Sequence, residues 1–157
     1  MHIITLPRDS LALLQPLWEQ LNAHHMELST HFKEHHRTFT FSERIEKLRN
    51  KKRLQVFVAF EEKKPIGYCI VSASGTCGEI DSLFVIPEAR KNGVGRKLML
   101  NTLDWMKEQQ CQSIAILVAE GNEKAFSFYE QFGFKPKATL LRMLTDLKEE
   151  KISDGKK

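Results

Sequence analysis

The stretch EIDSLFVIPEARKNGVGRK, residues 79–97, joins a strand-like segment to a basic turn that contains two glycines. Its first half is apolar and ends at Pro87, and an apolar pattern of helical period follows the turn. A strand that enters a helix through such a turn places unpaired backbone amides, and the positive end of the helix dipole, at the turn. Gly93 and Gly95 would let a ligand approach those amides where a Cβ would keep it away. The turn therefore predicts an anion site, suited to phosphate or pyrophosphate.

The spacing of the glycines separates this turn from two common phosphate-binding motifs. It matches neither the GxGxxG pattern of dinucleotide-binding folds nor the GxxxxGK[ST] pattern of P-loops. Arg90, Lys91 and Arg96 add positive charge around it. An ordinary strand-to-helix loop would also contain glycine, so the rest of the chain has to decide between a ligand site and a plain connection.

Hydrophobic periodicity predicts an α/β protein with a single mixed, mostly antiparallel central sheet flanked by helices. Pro16 indicates a late start or a kink in the first helix. The three strands in the middle of the chain have short connections and are expected to form an antiparallel meander. Strands are expected at 2–6, 54–60, 66–73, 78–86 and 113–118, with one or two more between 134 and 145, and helices after Asp9 or Ser10 and at 42–51, 94–109 and 122–132.

Length and composition bound the class of protein. The 157 residues, of which 41% are hydrophobic and 28% charged, predict one globular domain over 1–147 and a flexible tail over 148–157. The net charge of +4 is mild, and the basic side chains are not interleaved with aromatic ones, which argues against a nucleic acid partner. The N-terminus lacks the apolar core of a signal peptide, and no apolar run approaches the ~20 residues that span a bilayer, so no membrane association is expected.

Cysteine and histidine patterns argue against a metal site. Three widely spaced cysteines without a CxxC pair favour reduced thiols in a cytoplasmic protein. Five of the six histidines lie in HHMELSTHFKEHH, where one unbroken helix would align His24, His31 and His35. A helix break at Ser29 and Thr30 would destroy that alignment, so solvent-exposed histidines or the wall of a substrate pocket are the favoured interpretations, and no metal is expected.

A second motif lies downstream of the turn. Residues 90–95 read RKNGVG, which fits [RQ]-x-x-G-x-[GA], and residues 122–134 read NEKAFSFYEQFGF, which fits N-x-x-A-x-x-F-Y-x-x-x-G-F. Together the two motifs resemble those of the GNAT superfamily of acetyl-CoA-dependent N-acetyltransferases, and the resemblance extends over residues 54–134. It implies the acyl-CoA N-acyltransferase fold, a GNAT-family N-acetyltransferase activity, and acetyl-CoA as co-substrate.

The resemblance also implies which residues bind the cofactor. Backbone amides of the turn would surround the pyrophosphate of coenzyme A. The third strand of the meander would pair its backbone with the pantetheine arm, at an edge that is free because the two middle strands part. These residues are Leu83, Phe84, Val85, Arg90, Lys91, Asn92, Gly93, Val94, Gly95, Arg96 and, in the second motif, Asn122. Capping of the following helix would equally explain Asn122.

Acetyl transfer by direct attack of an amine needs a proton acceptor for the amine and a proton donor for the departing thiolate. In relatives that use a strand glutamate as base, it lies eleven residues before the first residue of the turn motif. Glu79 and Arg90 have that spacing, and Asp81 is the second candidate. Strict alternation would place both carboxylates on one face with Leu83 and Val85. The alternative is that both are exposed or paired carboxylates at a strand end.

Tyr129 falls where the family commonly places the general acid. A phenol with an unperturbed pKa near 10 is protonated at neutral pH and can donate to the thiolate. The alternative is a core aromatic residue, since Tyr129 shares its face with Phe128 and Phe132. The two roles are compatible, because a tyrosine ring can pack while its hydroxyl remains available.

The resemblance leaves the acceptor open. Members that acetylate protein N-termini often carry a glutamate five residues before the motif asparagine, where this chain has Leu117. A small-molecule primary amine, such as a polyamine, an amino acid or an amino sugar, is therefore expected. A protein lysine or N-terminus is the alternative acceptor, and a non-catalytic acyl-CoA sensor is the alternative function. Homodimers are common in the family, and a homodimer is left open here.

Overall fold

The computed structural model describes residues 1–145, which form an α/β fold on one five-stranded sheet. The predicted class and the single mixed sheet are confirmed. The predicted domain end at 147 and the tail over 148–157 lie outside the described residues. The strands are β1 (His2–Thr5), β2 (Arg53–Glu61), β3 (Lys64–Ser74), β4 (Cys77–Val85) and β5 (Ser113–Ile116), and the α-helices are α1 (Gln15–Leu28), α2 (Lys33–Thr38), α3 (Phe41–Arg49), α4 (Val94–Glu108) and α5 (Phe126–Glu130).

The strands follow one another across the sheet in the order of the sequence. β1 to β4 pair antiparallel, and β5 runs parallel to β4. A parallel return to the same sheet needs a long crossover, which α4 provides. β3 lies in the middle with α4 on one face and α1 on the other, so Tyr68, Cys69 and Val71 are fully excluded from water.

The helices before β2 begin where local signals favour them. A 3₁₀ helix (Arg8–Leu14) leads into α1, and Pro16 lies in the first turn of α1, where its missing N–H breaks no helical hydrogen bond. The late start that Pro16 predicted is thus confirmed. α3 begins with a capping box in which Thr40 and Glu43 each accept a hydrogen bond from the other's backbone amide. The short α2 was not predicted from the sequence, and it buries none of its side chains.

A β-bulge reverses the side-chain alternation between the two halves of β4. Ile80 pairs with Val71, and Ser82 pairs with Ile70, so Asp81 is an extra residue with no partner of its own on β3. The residues before and after Asp81 therefore do not follow a single alternating pattern.

The two halves of β4 consequently meet different neighbours. Glu79 and Asp81 reach Lys51, just after α3, whereas the Val85 side chain points toward α4. The prediction that both carboxylates share a face with Leu83 and Val85 is wrong, because strict alternation assumes an unbroken register.

The loop that follows β5 is fastened to the turn between α1 and α2. The Glu120 carboxylate accepts hydrogen bonds from the Ser29 hydroxyl and from the backbone amides of Thr30 and His31. These bonds, the one from Ser29 most of all, lower the pKa of Glu120 below its usual value. The contact joins segments about 90 residues apart in the sequence.

The end of the described chain differs from the prediction. The helix expected over 122–132 is a 3₁₀ turn (Glu123–Ala125) followed by the five-residue α5. The strands expected between 134 and 145 are wrong for the described chain: residues 135–145 pair with no strand, and all of their side chains are exposed. An alternating apolar pattern makes a strand only where a neighbouring edge accepts it, and within residues 1–145 no strand edge pairs with this segment.

Gly121 is expected to tolerate no side chain. Its φ is +87°, and a Cβ there would lie 2.1 Å from the carbonyl oxygen of Leu28 at the end of α1. We predict that Gly121→Ala lowers the free energy of unfolding by about 3 kcal/mol, through the left-handed backbone and the forced displacement of α1. Gly75→Ala is the matched control, because Gly75 has φ +57° but open space around its Cβ. Gly75→Ala should lower the free energy of unfolding by only about 1 kcal/mol. Urea unfolding curves measure both, and equal losses would contradict the packing argument.

Candidate active site

The outer edge of β4 is open in the region of the predicted cofactor site. β4 and β5 pair as far as Ile80 and Ile116, where β5 ends, while β4 continues to Val85. No described strand pairs with this edge over residues 81–85. Backbone N–H and C=O groups along such an edge can pair with an extended ligand that carries amides. The structure thus contains the parting of the middle strands that the family resemblance implied.

The turn after β4 presents backbone amides at the N-terminus of α4. Gly93 is the N-cap, with φ +78°, a conformation that glycine adopts without strain. No side chain caps α4, so the amides of residues 94–96 are available to an anion. Lys91 and Asn92 are exposed beside them. The arrangement fits a diphosphate, since amide donors and a positive side chain lie at the same helix end.

Gly95 has a role that its sequence motif did not indicate. A Cβ at Gly95 would lie 3.3 Å from the Phe128 ring of α5 and 3.9 Å from the Val85 side chain. The absence of a side chain therefore allows β4, α4 and α5 to converge. The Val94 side chain is buried, which leaves only its backbone for a ligand.

The basic side chains of the turn are partly engaged by the protein itself. Nε of Arg90 donates a hydrogen bond to the Val85 carbonyl at 3.0 Å, and its guanidinium lies 5.7 Å from the centre of the Phe84 ring. The Arg96 guanidinium lies 5.9 Å from the Phe132 ring. Arg90 is therefore a brace between the turn and the end of β4, and it holds the two predicted parts of the cofactor site together.

Lys51 brings the two predicted carboxylates together. Its ammonium group contacts Oδ1 of Asp81, and it lies 3.5 Å from Oε2 of Glu79 and 3.1 Å from the Ser72 hydroxyl. Arg44 donates to the Asp81 carbonyl at 2.6 Å. The cluster thus fastens α3 and the residues after it to the two central strands.

The two carboxylates differ in their surroundings. The Asp81 side chain is only 2% exposed, and its second oxygen, Oδ2, is buried without a hydrogen-bond partner among the described residues. The Glu79 side chain is 48% exposed. A buried oxygen without a partner is costly and is a common feature of functional sites. Glu79 is the carboxylate that a ligand from solvent can reach directly.

Tyr129 packs as a core aromatic residue. It is 8% exposed, with ring-centre distances of 5.2 Å to Phe128 and 5.9 Å to Phe134. Burial, together with the nearby Cys69 thiol, raises the pKa of Tyr129 above its usual value, so the hydroxyl keeps its proton at neutral pH. Cys69 stands opposite Leu83 in the sheet register, which places Tyr129 near the predicted pantetheine segment.

Asn122 is the N-cap residue of the 3₁₀ turn Glu123–Ala125, but its side chain does not cap that turn. Its side chain makes no capping hydrogen bond, and the helical turn after it starts with the Ala125 amide donating to the Asn122 carbonyl. The side-chain amide of Asn122 therefore stays available to a ligand. Among the described residues, no hydrogen bond or ring contact joins Asn122 or Tyr129 to the Lys51 cluster.

Sequence analysis missed Lys51, Ser72 and Arg44. Lys51 belongs to no motif, and it meets its carboxylate partners across 28 and 30 positions of the chain. The one available signal was that Lys51 is a basic residue at the end of a predicted helix, while one strand of the same chain carries two carboxylates.

The histidine-rich segment does not form one helix. α1 ends at Leu28 and α2 begins at Lys33, so the break that the sequence suggested is present. The rings of His25 and His36 lie 5.5 Å apart between the two helices. Burial, with the neighbouring imidazoles of His36 and then His24, lowers the pKa of His25 to about 4. Over residues 1–145, no group of three or more histidine, cysteine, aspartate or glutamate side chains is arranged so that it could hold a metal ion.

Comparison with known proteins identifies the family. The profile of the acetyltransferase (GNAT) family matches residues 18–134, which is most of the chain. The chain belongs to this family. None of the helices in the described part of the chain is long and apolar enough to cross a membrane.

Curated relatives match part of the chain. It is 37% identical over 83 residues to N-alpha-acetyltransferase 30 of Schizosaccharomyces pombe, an alignment that covers 50% of this chain and 55% of that protein. It is 35% identical over 81 residues to the peptidyl-lysine N-acetyltransferase YjaB of Escherichia coli, covering 51% and 49% of the two chains. The chain therefore spans about half the length of the curated relatives it matches.

Solved structures share the fold over nearly the whole chain. A mutant of the BH1408 protein of Bacillus halodurans has a TM-score of 0.70 and 19% identity, with 92% of this chain and 99% of that chain covered. An aminoglycoside N-acetyltransferase, AAC(6')-Iy in complex with CoA, has a TM-score of 0.66 and 17% identity, with 92% and 98% covered. At such identities the likeness concerns the fold alone.

Removing the Lys51 ammonium should destabilise the fold. We predict that Lys51→Met lowers the free energy of unfolding by about 2–3 kcal/mol, because it leaves the buried Asp81 carboxylate without its partner. Adding Asp81→Asn should restore more than half of that loss, since no buried charge then remains. The loss is below that of a fully buried pair because the Lys51 side chain is 32% exposed.

Lys52→Met is the matched control for this prediction. Arg8 donates to the backbone carbonyls of both Lys51 and Lys52, but the Lys52 side chain is exposed. It should change the free energy of unfolding by less than about 0.5 kcal/mol. Urea denaturation of the wild type and the three variants measures these losses, and equal effects of the two lysine substitutions would refute the role of the cluster.

His25 should make the fold sensitive to mild acid. Its pKa is about 4 in the folded chain against an ordinary value of 6.5, so the unfolded chain binds more protons between these values. The stability contributed by neutral His25 is therefore fully present above pH 6.5 and is lost as the pH falls toward 4. We predict that His25→Gln flattens the decline of unfolding free energy between pH 6.5 and 4.5. His31→Gln, whose side chain is 75% exposed, should leave the decline unchanged.

Proposed function

We propose that the protein transfers the acetyl group of acetyl-CoA to a primary amine by direct attack of the amine. One observation carries this proposal: the open β4 edge leads, through the turn over residues 86–93, to the uncapped N-terminus of α4. An extended arm with amides followed by a diphosphate needs these two features in this order. Arg90 braces the junction between them.

The residues present fit coenzyme A, which would supply an acetyl group activated as a thioester. The backbone of residues 83–85 would pair with the pantetheine arm, while the Phe84 side chain is turned into the core. The backbone of residues 90–96 would surround the pyrophosphate, with the uncapped amides of residues 94–96 as donors and Lys91 and Arg96 as additional positive charges. The Arg90 amide itself donates to the Pro87 carbonyl. The Asn122 side-chain amide completes the proposed set, because it makes no capping bond.

Glu79 is proposed as the general base. Its carboxylate has one side open to solvent and the Lys51 ammonium on the other, so it is held in place and still reachable. It would accept a proton from the amine, directly or through one water molecule. Asp81 is proposed as a positioning residue rather than as the base, because its buried carboxylate is already engaged by Lys51.

Tyr129 is proposed as the general acid. Burial keeps its hydroxyl protonated at neutral pH, as a donor to a departing thiolate must be. The bulge at Asp81 directs Glu79 toward Lys51 on one face of the sheet, while Tyr129 lies near Cys69 on the α4 face. The two groups would therefore act on the reacting atoms from opposite faces, at the opening between β4 and β5.

A small-molecule primary amine is proposed as the acceptor, in a cytoplasmic protein without nucleic acid or membrane partners. The exposed Leu117 supports this, because it stands where relatives that act on protein N-termini often carry a glutamate. The carboxylates of Glu79 and Glu120 would favour a cationic acceptor near α1 and α2. Acetylation of a protein lysine or N-terminus is the alternative, and it is supported by the two curated relatives, which are a peptidyl-lysine N-acetyltransferase and an N-alpha-acetyltransferase. A homodimer is also proposed.

Thiol release with a panel of amines tests the activity. We predict that Glu79→Gln lowers kcat by about 10²–10⁴-fold while the KM for acetyl-CoA changes little, since the base acts on the amine. Tyr129→Phe should lower kcat by about 10–100-fold with an unchanged fold. Glu61→Gln at the exposed end of β2 is the matched control and should behave like the wild type.

Binding and turnover are measured separately in this test. Acetyl-CoA should raise the melting temperature by mass action, and duplex DNA should not. If acetyl-CoA stabilises the protein strongly but no amine, peptide or protein N-terminus causes release of the coenzyme A thiol, the result would favour the acyl-CoA sensor over the enzyme. A melting temperature that acetyl-CoA leaves unchanged would contradict the proposed cofactor site.

A further inference from the structure

The chain after β5 leaves the sheet earlier than its residues predict. The apolar pattern predicts a strand over residues 113–118, but the ladder between β4 and β5 ends at the pair Ile80–Ile116. Leu117 and Val118 continue the apolar run, and valine is a residue type that sheets favour. The same register, continued as far as Ala119, would pair residues 117–119 with residues 81–83 of β4. The local pattern therefore does not explain why the two segments part.

The turn between α1 and α2 holds the departing chain through one carboxylate. Oε2 of Glu120 accepts a hydrogen bond from the Ser29 hydroxyl at 2.5 Å, and Oε1 accepts from the backbone amides of Thr30 and His31 at 3.1 and 3.0 Å. Ser29 is buried, and its hydroxyl oxygen also accepts a bond from the Phe32 amide, so this donor has a fixed position. These bonds from Ser29, Thr30 and His31 to Glu120 form the Glu120 latch.

Close backbone packing next to the latch holds the same loop against α1. A Cβ on Gly121 would lie 2.1 Å from the carbonyl oxygen of Leu28, the last residue of α1, so the two backbones are in direct contact. Asn122, whose side-chain amide is proposed to contact the cofactor, follows immediately. The latch and this contact therefore fix both the point where the chain leaves β4 and the position of Asn122.

Two arrangements of residues 117–119 compete for the same backbone. In the open arrangement the latch is made and the edge of β4 over 81–85 has no strand partner among residues 1–145. In a closed arrangement the ladder would continue through Ala119 and carry Glu120 along β4, away from the end of α1. Hydrogen bonds to a carboxylate are about twice as strong as those between neutral groups. The latch therefore favours the open arrangement.

We propose that Glu120 is a positioning residue that holds the edge of β4 open by anchoring the chain after β5 to the turn between α1 and α2. Without the latch, residues 117–119 would pair with β4 and cover the edge that the pantetheine arm is proposed to use. Glu120 acts through the backbone and has no contact with the reacting atoms in this proposal. The opening itself does not depend on acetyl transfer, and only its link to coenzyme A rests on the proposed function.

Amide hydrogen exchange followed by NMR tests the opening without any ligand. In Glu120→Ala, the amides of residues 81–85 and 117–119 that face the opening should exchange at least about tenfold more slowly than in the wild type, because the closed ladder protects them. A variant that merely loosens the fold would exchange faster, so slower exchange separates the two effects. Ser29→Ala breaks the latch from its other side and should slow the same amides. Glu120→Gln retains an acceptor oxygen and should stay closer to the wild type.

Glu123→Ala is the matched control for this experiment. The Glu123 carboxylate lies in the same loop and accepts a hydrogen bond from the Gly121 amide at 3.0 Å, but among the described residues it has no hydrogen bond to the turn between α1 and α2. Its removal should leave the exchange of residues 81–85 unchanged. Equal slowing in Glu123→Ala and Glu120→Ala overturns the role of the latch. Unchanged or faster exchange in both Glu120→Ala and Ser29→Ala also overturns it, and would assign the opening to the bulge at Asp81 instead.

Calorimetric titration with acetyl-CoA tests the link to the cofactor. Glu120→Ala should raise the Kd for acetyl-CoA about tenfold, because only the fraction of chains with an open edge can bind. Slower amide exchange in this variant together with a wild-type Kd would overturn the link between the opening and the cofactor. A wild-type chain that binds no acetyl-CoA would instead contradict the proposed function, and the exchange measurement would still decide whether Glu120 holds the edge open.

Discussion

The parting of β4 from β5 after Ile80 and Ile116 is the constraint on which the candidate site depends. Each further pair in a parallel ladder would add hydrogen bonds, so a physical reason is needed for the strands to separate. The Glu120 carboxylate supplies it, because three donors at the α1–α2 turn draw the chain away from β4 four residues after β5 ends. Hydrogen bonds to a charged acceptor are stronger than the ladder bonds they replace. The open edge of β4 is therefore maintained by a contact remote from it in the sequence.

The Lys51 cluster illustrates why a buried ion pair is more than a source of stability. Taking a carboxylate out of water is costly, and the pair with Lys51 does not use the second oxygen of Asp81. An apolar residue at position 81 would meet no such cost. What the pair provides is position: Lys51 lies within reach of Ser72, Asp81 and Glu79 at once, which fixes the end of α3 against the bulge. The half-exposed Glu79 then keeps a defined place without being buried itself.

Sequence reasoning predicted the fold well where a local pattern and a neighbouring strand agree. The meander of β2 to β4 and the helix α4 were found within about three residues of their ends, because alternation and helical period are both local signals. The turn at Gly93 was predicted for the same reason. The face on which Leu83 and Val85 lie was not predicted correctly. One extra residue at Asp81 reverses the side-chain alternation and leaves no trace in the hydrophobic pattern. Lys51 escaped notice because its partners are distant in the sequence. The strands expected between 134 and 145 were wrong for the described residues, because an apolar pattern by itself does not supply a neighbouring edge.

The bulge at Asp81 links these observations, because it places Glu79 and Leu83, which are four residues apart, on opposite faces of the sheet. Without it, residues 79 and 83 would share a face, and a base on β4 would lie on the same side as the residues that face α4. With it, Glu79 and Asp81 reach Lys51 after α3, and Val85 points toward α4, while the backbone edge stays continuous from Asp81 to the turn. A proton acceptor near Lys51 and a proton donor near Cys69 then lie on opposite sides of one opening. The proposed base has to be accessible and the proposed acid has to be buried. The sheet separates the Glu79 carboxylate from the Tyr129 phenol and so allows both conditions to be met.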